Sequence, residues 1–290
     1  MYFQNDFITL YHGDAREIIP TLSDITSVVT DPPYEINFMG KSFDRTGISY
    51  DSTFWNLLLQ ASLPGAHLIS FGGNRTHHRI WCAIEDAGWE IQDCLMWLYG
   101  NGFAKSQNLK PAYEAICLAR KPPIIIPINL ECKVGEDIIT STSRKDSWFG
   151  LRKRPESTHV GRTPSNVLHD GSDEVIEEFY KLGPKGDGLH SCNTMTDERS
   201  AARFFWSPKV GKKERGEYND HPCVKPLSLM KYLCTLVKQP EKNLILDPFC
   251  GSGSTLLACA ELGIPCIGIE MDEHYCGITV KRISREMYKV

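Results

Sequence analysis

The chain has 290 residues, a formal net charge of −4 at pH 7, 41% hydrophobic residues and 23% charged ones. That composition is ordinary for a globular protein, and the charge argues against a surface that coats nucleic acid wholesale. There is no run of about 18 apolar residues to cross a membrane, and residues 1–8, which include Asp6, lack the basic start and apolar run of a secretory signal.

The 11 cysteines are dispersed without a C-x-x-C pair or a Cys/His group of zinc spacing. Cys82, Cys259 and Cys266 fall in apolar patterns and read as small core residues. Reduced thiols, a cytoplasmic location and no metal are expected.

In chain order, residues 7–11 predict a short strand, 14–22 a helix and 25–30 a buried strand. That strand runs into Asp31-Pro32-Pro33-Tyr34. Proline has no N–H, so the bend offers a carboxylate and carbonyl acceptors beside a flat ring. Such a point suits a planar group with an exocyclic amino group rather than an anion. Residues 35–50 read as a loop and 52–63 as a helix capped by Ser52. A strand at 66–71 ends in Gly72-Gly73, and a helix at 74–87 ends at Gly88. Strands follow at 89–98 and 113–119.

From 121 to 207 Pro, Gly, Ser and charge dominate, with one helical piece near 172–182. Residues 141–169 hold six basic side chains, Arg144, Lys145, Arg152, Lys153, Arg154 and Arg162, against two acids. Residues 203–215 hold five against one, and Phe204, Phe205 and Trp206 there read as core strand in preference to a DNA-contacting surface. A basic middle on an acidic body is what local phosphate contact needs, and charge alone is equally met by a solvated surface loop. Regularity returns with a helix from Pro226 to about 238, a strand at 243–246, a helix at 254–262, a strand at 265–269 and a last helix from 272. The turn Asp247-Pro248-Phe249-Cys250-Gly251-Ser252-Gly253 joins the first of these strands to its helix.

Alternating strands and helices imply an α/β fold: a doubly wound, parallel Rossmann-like sheet with helices on both faces. Such sheets bind ligands beyond the carboxyl ends of their strands, where Asp31 and Asp247 both fall.

Asp31-Pro32-Pro33-Tyr34 and the turn from Asp247 to Gly253, with His12-Gly13-Asp14-Ala15, the stretch 219–226 and Gly268-Ile269-Glu270, resemble the amino-group DNA methyltransferases that use S-adenosylmethionine. The acceptor motif precedes the cofactor motif, as in the class whose target-recognition region lies between them. The stretch 161–170 resembles phage and prophage members. The resemblance implies a catalytic half at 1–120, a recognition insertion at 121–207 and a cofactor-binding half at 208–290. It implies Asp31, Pro32, Pro33 and Tyr34 at the catalytic site. It gives Asp14 to the adenine amino group of the cofactor, Glu270 to the ribose and Lys225 to the methionine carboxylate. Ala15, Asp247, Phe249, Gly251, Ser252 and Gly253 complete that pocket. The six basic residues of 141–169 would contact DNA.

The implied reaction is methylation of adenine N6 in double-stranded DNA, in a bacterial cell and in the setting of restriction–modification, with a homodimer left open. An amino nitrogen is a poor nucleophile because its lone pair is delocalised. Asp31 and the Pro32 carbonyl would accept its two hydrogens and turn the lone pair toward the methyl group. Tyr34 would stack on the base, which must leave the duplex to arrive. Cytosine N4 is the first alternative, and a protein or RNA amino group the second. A Pro222-Cys223 nucleophile is rejected, because the Pro-Cys-Gln and Glu-Asn-Val surroundings of cytosine-C5 enzymes are absent.

Overall fold

A computed structural model of the protein describes residues 1–37, 40, 42–99, 109, 111–129, 134–141, 157–162, 166–169, 210 and 212–287. The expected helical piece at 172–182 and the aromatics at 204–206 lie outside these residues.

The elements in chain order are β1 (Phe3–Gln4), β2 (Ile8–His12), α1 (Ala15–Ile18), β3 (Ile25–Thr30), α2 (Ser52–Ala61), β4 (Ser62–Gly72), α3 (His77–Asp86), β5 (Glu90–Leu98) and β6 (Tyr113–Arg120). Then come β7 (Val134–Ser141), β8 (Ser157–Arg162), β9 (Val167–His169), α4 (Lys212–Arg215), α5 (Leu227–Leu236), β10 (Ile245–Asp247), α6 (Ser254–Leu262), β11 (Cys266–Glu270) and α7 (Glu273–Met287). Short 3₁₀ turns at Ser42–Arg45 and Ile48–Tyr50 punctuate the loop after β3.

Nine strands form the main sheet in the order β1-β2-β11-β10-β3-β4-β6-β5-β9. The five from β2 to β4 are parallel. The last two strands of the chain, β10 and β11, thus slot between β2 and β3. The sequence predicts a fully parallel sheet, but β6 runs antiparallel to both β4 and β5. No helix lies among the described residues between β5 and β6, and only an antiparallel pair can be joined without a crossover helix. β9, inside the expected insertion, pairs parallel with β5 at the sheet edge. β7 and β8 pair as a separate antiparallel ribbon.

The sheet is covered on both faces, which is why its central strands read as continuous apolar runs. Successive residues go to opposite faces: Val28, Leu68 and Ile269 pack with Trp55, Leu58, Ile80 and Ile84 under α2 and α3. Val29, Ile69 and Phe71 pack with Leu229, Leu233, Leu256 and Ile283 under α5, α6 and α7. The cap of α2 is Asp51, which accepts from Thr53 N at 2.9 Å, one residue before the expected Ser52. Pro226 caps α5 from outside its first turn.

Candidate active site

The carboxyl ends of the parallel strands meet along one crest, and a cavity of about 1620 Å³ opens there. Asp31 to Tyr34, after β3, and Asp247 to Ser252, after β10, both line it, as do Asp14, Ala15, Lys225 and Glu270. Adjacency of β3 and β10 brings the two motifs together. The seam is tied directly: Thr30 Oγ1 donates to Asp247 Oδ1 at 2.9 Å across 217 positions of sequence.

The Asp31 bend is held from behind. Trp55 Nε1 donates to the carbonyl of Ser49 at 3.0 Å, and Ser49 Oγ donates to the carbonyl of Pro33 at 2.6 Å. The Pro33 acceptor is thereby used. Among the described residues the Pro32 carbonyl has no donor, and Asp31 Oδ1 is buried without a partner. Gly73 lies against the Tyr34 ring, where a Cβ would stand 3.0 Å from Cδ2.

Asp31 Oδ2 is occupied. Lys225 Nζ donates to it at 2.6 Å and to Tyr34 OH at 3.2 Å, and lies 3.2 Å from Glu114 Oε2. Tyr34 OH donates to Glu114 Oε2 at 2.9 Å. The resemblance gives Lys225 to the methionine carboxylate; in the structure its ammonium, on the loop before α5, pairs with Asp31 at the end of β3. Burial by itself would lower the lysine pKa, but the Asp31 and Glu114 carboxylates reverse that and raise it. Two carboxylates share one ammonium, so a negative charge is left over. Burial, only partly countered by Lys225, accordingly lifts the Asp31 carboxyl above its usual range. Burial, with both carboxylates nearby, lifts the Tyr34 phenol.

On the other side of the cavity, Glu270 at the end of β11 accepts from Gly251 N through Oε2 and from Asp272 N through Oε1, both at 2.8 Å. Gly251 has φ +52° and its ideal Cβ would stand 2.8 Å from His221 Nε2, so the turn is closed by an imidazole. Burial pushes the His221 pKa down to about 4, leaving the ring neutral at pH 7. Its Nδ1 accepts from Cys223 N at 3.2 Å, so the ring proton resides on Nε2. Asn219 Nδ2 donates to Ser252 Oγ at 3.2 Å, and Arg282 Nη1 donates to the Ser252 carbonyl at 2.7 Å.

The remaining expected residues take separate positions. Gly253 does not line the cavity but packs on Thr279 of α7. Asp14 caps α1 through Arg16 N and pairs with the Arg16 guanidinium at 2.5 Å, which holds its carboxyl below the usual range. The Phe249 ring is 5.1 Å from that of Phe54, in the apolar layer under the cavity. Asp247 is buried, accepts from Thr30, Thr255 and Phe249 N, and has its pKa raised to about 7 by burial. Of the expected DNA contacts, Arg162 ends β8, while Arg144, Lys145, Arg152, Lys153 and Arg154 lie outside the described residues. Glu114, Ser49 and His221 carry no role in the sequence reading. The stretch 219–226 marked His221 as belonging to a motif, whereas nothing local distinguishes Glu114 from a solvated strand acid.

Among the described residues no cluster of three or more His, Cys, Asp or Glu could hold a metal ion, and no helix is long and apolar enough to cross a membrane.

The sequence profile of an N6/N4 DNA methylase family matches residues 25–281. The DNA adenine methyltransferase YhdJ of Escherichia coli K12 is 34% identical over 293 residues, covering 97% of this chain and 84% of its own length. The type II methyltransferase M.HindIII of Haemophilus influenzae is 26% identical over 225 residues, 77% of this chain and 64% of its own length. The solved PvuII DNA methyltransferase, named as cytosine-N4-specific, superposes with a TM-score of 0.63 at 13% identity, covering 97% of this chain and 88% of that one, which is a likeness of fold.

Proposed function

The chain belongs to the N6/N4 DNA methylase family, and on that premise we propose that it methylates adenine N6 of a base flipped out of duplex DNA at a specific site. The observation that carries this reading is the single cavity shared by the Asp31 bend and the turn after Asp247. The methyl donor is S-adenosylmethionine, which supplies an electrophilic methyl group on a positive sulfur. The residues fit such a ligand: Asp14 and Glu270 offer carboxylates to amino and hydroxyl hydrogens, and the glycine turn leaves its backbone close to the cavity. In this reading Asp14, Ala15, Phe249, Gly251, Ser252 and Glu270 hold the cofactor, with Asp247 and Gly253 shaping the turn.

Asp31 Oδ1 and the Pro32 carbonyl are acceptors left without a donor among the described residues. They receive the two amino hydrogens of the base, favour a pyramidal nitrogen and stabilise the positive charge that develops on it. Tyr34, its hydroxyl fixed by Glu114, presents the ring face on which the base stacks. Bases inside a duplex are out of reach, so extrusion costs a few kcal/mol, about the price of one lost pair and its stacking. The segment 121–207, with Arg144, Lys145, Arg152, Lys153, Arg154 and Arg162, reads the site and holds phosphates. Adenine is favoured by Asp at the first position of the motif and by the likeness to YhdJ. Cytosine N4 is the second reading, favoured by the fold shared with the PvuII enzyme.

Nucleoside mass spectrometry of host DNA after expression tests the assignment. An N6-methyladenine peak is expected, absent for Asp31→Ala even though that variant still binds S-adenosylmethionine in calorimetry. N4-methylcytosine alone would transfer the assignment to the second reading, and no methylated nucleoside would overturn both.

A further inference from the structure

We propose that Glu114 is a positioning residue for this reaction: by drawing Lys225 aside it restricts the lysine to Oδ2 of Asp31, so that Oδ1 can accept the amino hydrogen and then the proton that the nitrogen sheds. The inference rests on the reading of Asp31 as the amino-group acceptor.

An ammonium has three N–H donors and no acceptor. The three partners of Lys225 are Asp31 Oδ2 at 2.6 Å, Tyr34 OH at 3.2 Å and Glu114 Oε2 at 3.2 Å. Its hydrogen bonds go to Asp31 Oδ2 and Tyr34 OH while the Glu114 carboxylate draws it electrostatically, and none reaches Asp31 Oδ1, which is buried and without a partner among the described residues. Take Glu114 away and the ammonium loses one of the two carboxylates that attract it, so nothing opposes its shift toward Oδ1 of Asp31. Glu114 comes from β6, an element the catalytic bend does not belong to, and Tyr34 donates its own proton to it at 2.9 Å. It therefore holds Tyr34 of the bend and Lys225 of the loop before α5 at once. It also supplies the surplus negative charge, and a like charge beside a carboxylate raises its proton affinity.

In the transfer, nitrogen bonds to the methyl carbon as the carbon–sulfur bond breaks and its electron pair stays on sulfur. The nitrogen, now positive, gives one proton to Asp31 Oδ1 and recovers the N–H electron pair, so the methylated base leaves neutral. Asp31 returns that proton to water when the base departs. Besides Lys225, Glu114 and Tyr34, Asp31 is influenced by Asp247 from β10 and by the Cys223 thiol from the loop before α5. Neither is altered in the test.

Carboxyl-detected NMR titration of the full-length, cofactor-free protein reads the effect without any reaction. Wild-type Asp31 is expected to titrate above the ordinary aspartate value of about 3.9, and Glu114→Gln to lower that midpoint by roughly one unit. In single-turnover methylation of duplex DNA, the acidic limb of the pH–rate profile should move the same way in Glu114→Gln and the opposite way in Lys225→Met. A wild-type midpoint at or below the ordinary value overturns the proposal, as does a Glu114→Gln rate that falls equally at every pH. If Glu114→Gln fails to fold, the wild-type titration still decides. Failure of the wild-type protein to methylate DNA would instead sink the assigned function, and leaves the titration standing.

Discussion

Asp247 sits on the seam between the two motif-bearing strands with its carboxylate engaged by Thr30, Thr255 and the amide of Phe249. Its pKa, raised by burial to about 7, makes the ionised form costly in the folded protein. An acid whose folded pKa exceeds its unfolded value of about 3.9 contributes most below that value, and the contribution is lost as pH rises toward 7. Asp247→Asn keeps an acceptor for Thr30 and removes the titration. Urea midpoints should show the variant gaining on the wild type between pH 4 and 7, by up to a few kcal/mol, and level above 7. A difference that is flat across that window would mean the carboxyl is ionised throughout. Single residues were also where the sequence was least legible. Asp31 announces itself through its proline neighbours, but Glu114 acquires meaning only from the register that sets β6 beside β4. The pairing of Lys225 with Asp31 was not legible either, because no local pattern says which side of the crest its loop crosses.

The turn between β10 and α6 is built against α7, and Gly253 answers to that packing rather than to the cavity. Gly253 has φ +79°, and a Cβ there would stand 2.5 Å from Thr279 Cγ2. Thr279 in turn donates to the Gly251 carbonyl at 3.0 Å, so α7 holds the turn from below. Gly253→Ala should cost about 2–4 kcal/mol, the sum of left-handed backbone strain and overpacking, read as a lower midpoint in thermal melts. Pairing it with Thr279→Ser, which removes the clashing methyl, should recover part of the loss; no recovery would assign the whole effect to the backbone. The helix at 254–262 and the strands at 25–30 and 266–270 were legible because each is a run of apolar residues bounded by Gly, Pro or acid. The direction of β6 was not, since period-two patterning is the same whichever way a strand runs.

Across the whole molecule, the N- and C-terminal parts of the chain share one sheet rather than two. β10 pairs with β3, and β11 with β2, so the parallel core has strands of both parts interleaved. Fragments 1–207 and 208–290 should therefore each lack a cooperative thermal transition when made alone, and should regain it, with methylation of DNA, when co-expressed. A fragment 1–207 that melts cooperatively by itself would show that the interleaving is dispensable. The overall plan could be inferred from alternation of strands and helices, but this interleaving could not, because strand order depends on contacts more than 200 positions apart.

Because β10 and β11 follow every other described strand of the sheet in sequence, a nascent chain still attached to the ribosome has a gap in the middle of that sheet until residues 245–270 have cleared the exit tunnel. The acceptor bend exists in the polypeptide from residue 31 onward, yet the wall opposite it arrives only with residues 247–252, after β9. A translation product interrupted before residue 245 would hence carry the reactive aspartate with nothing to react through, and methylation of DNA would begin only with molecules that include residues 245–270.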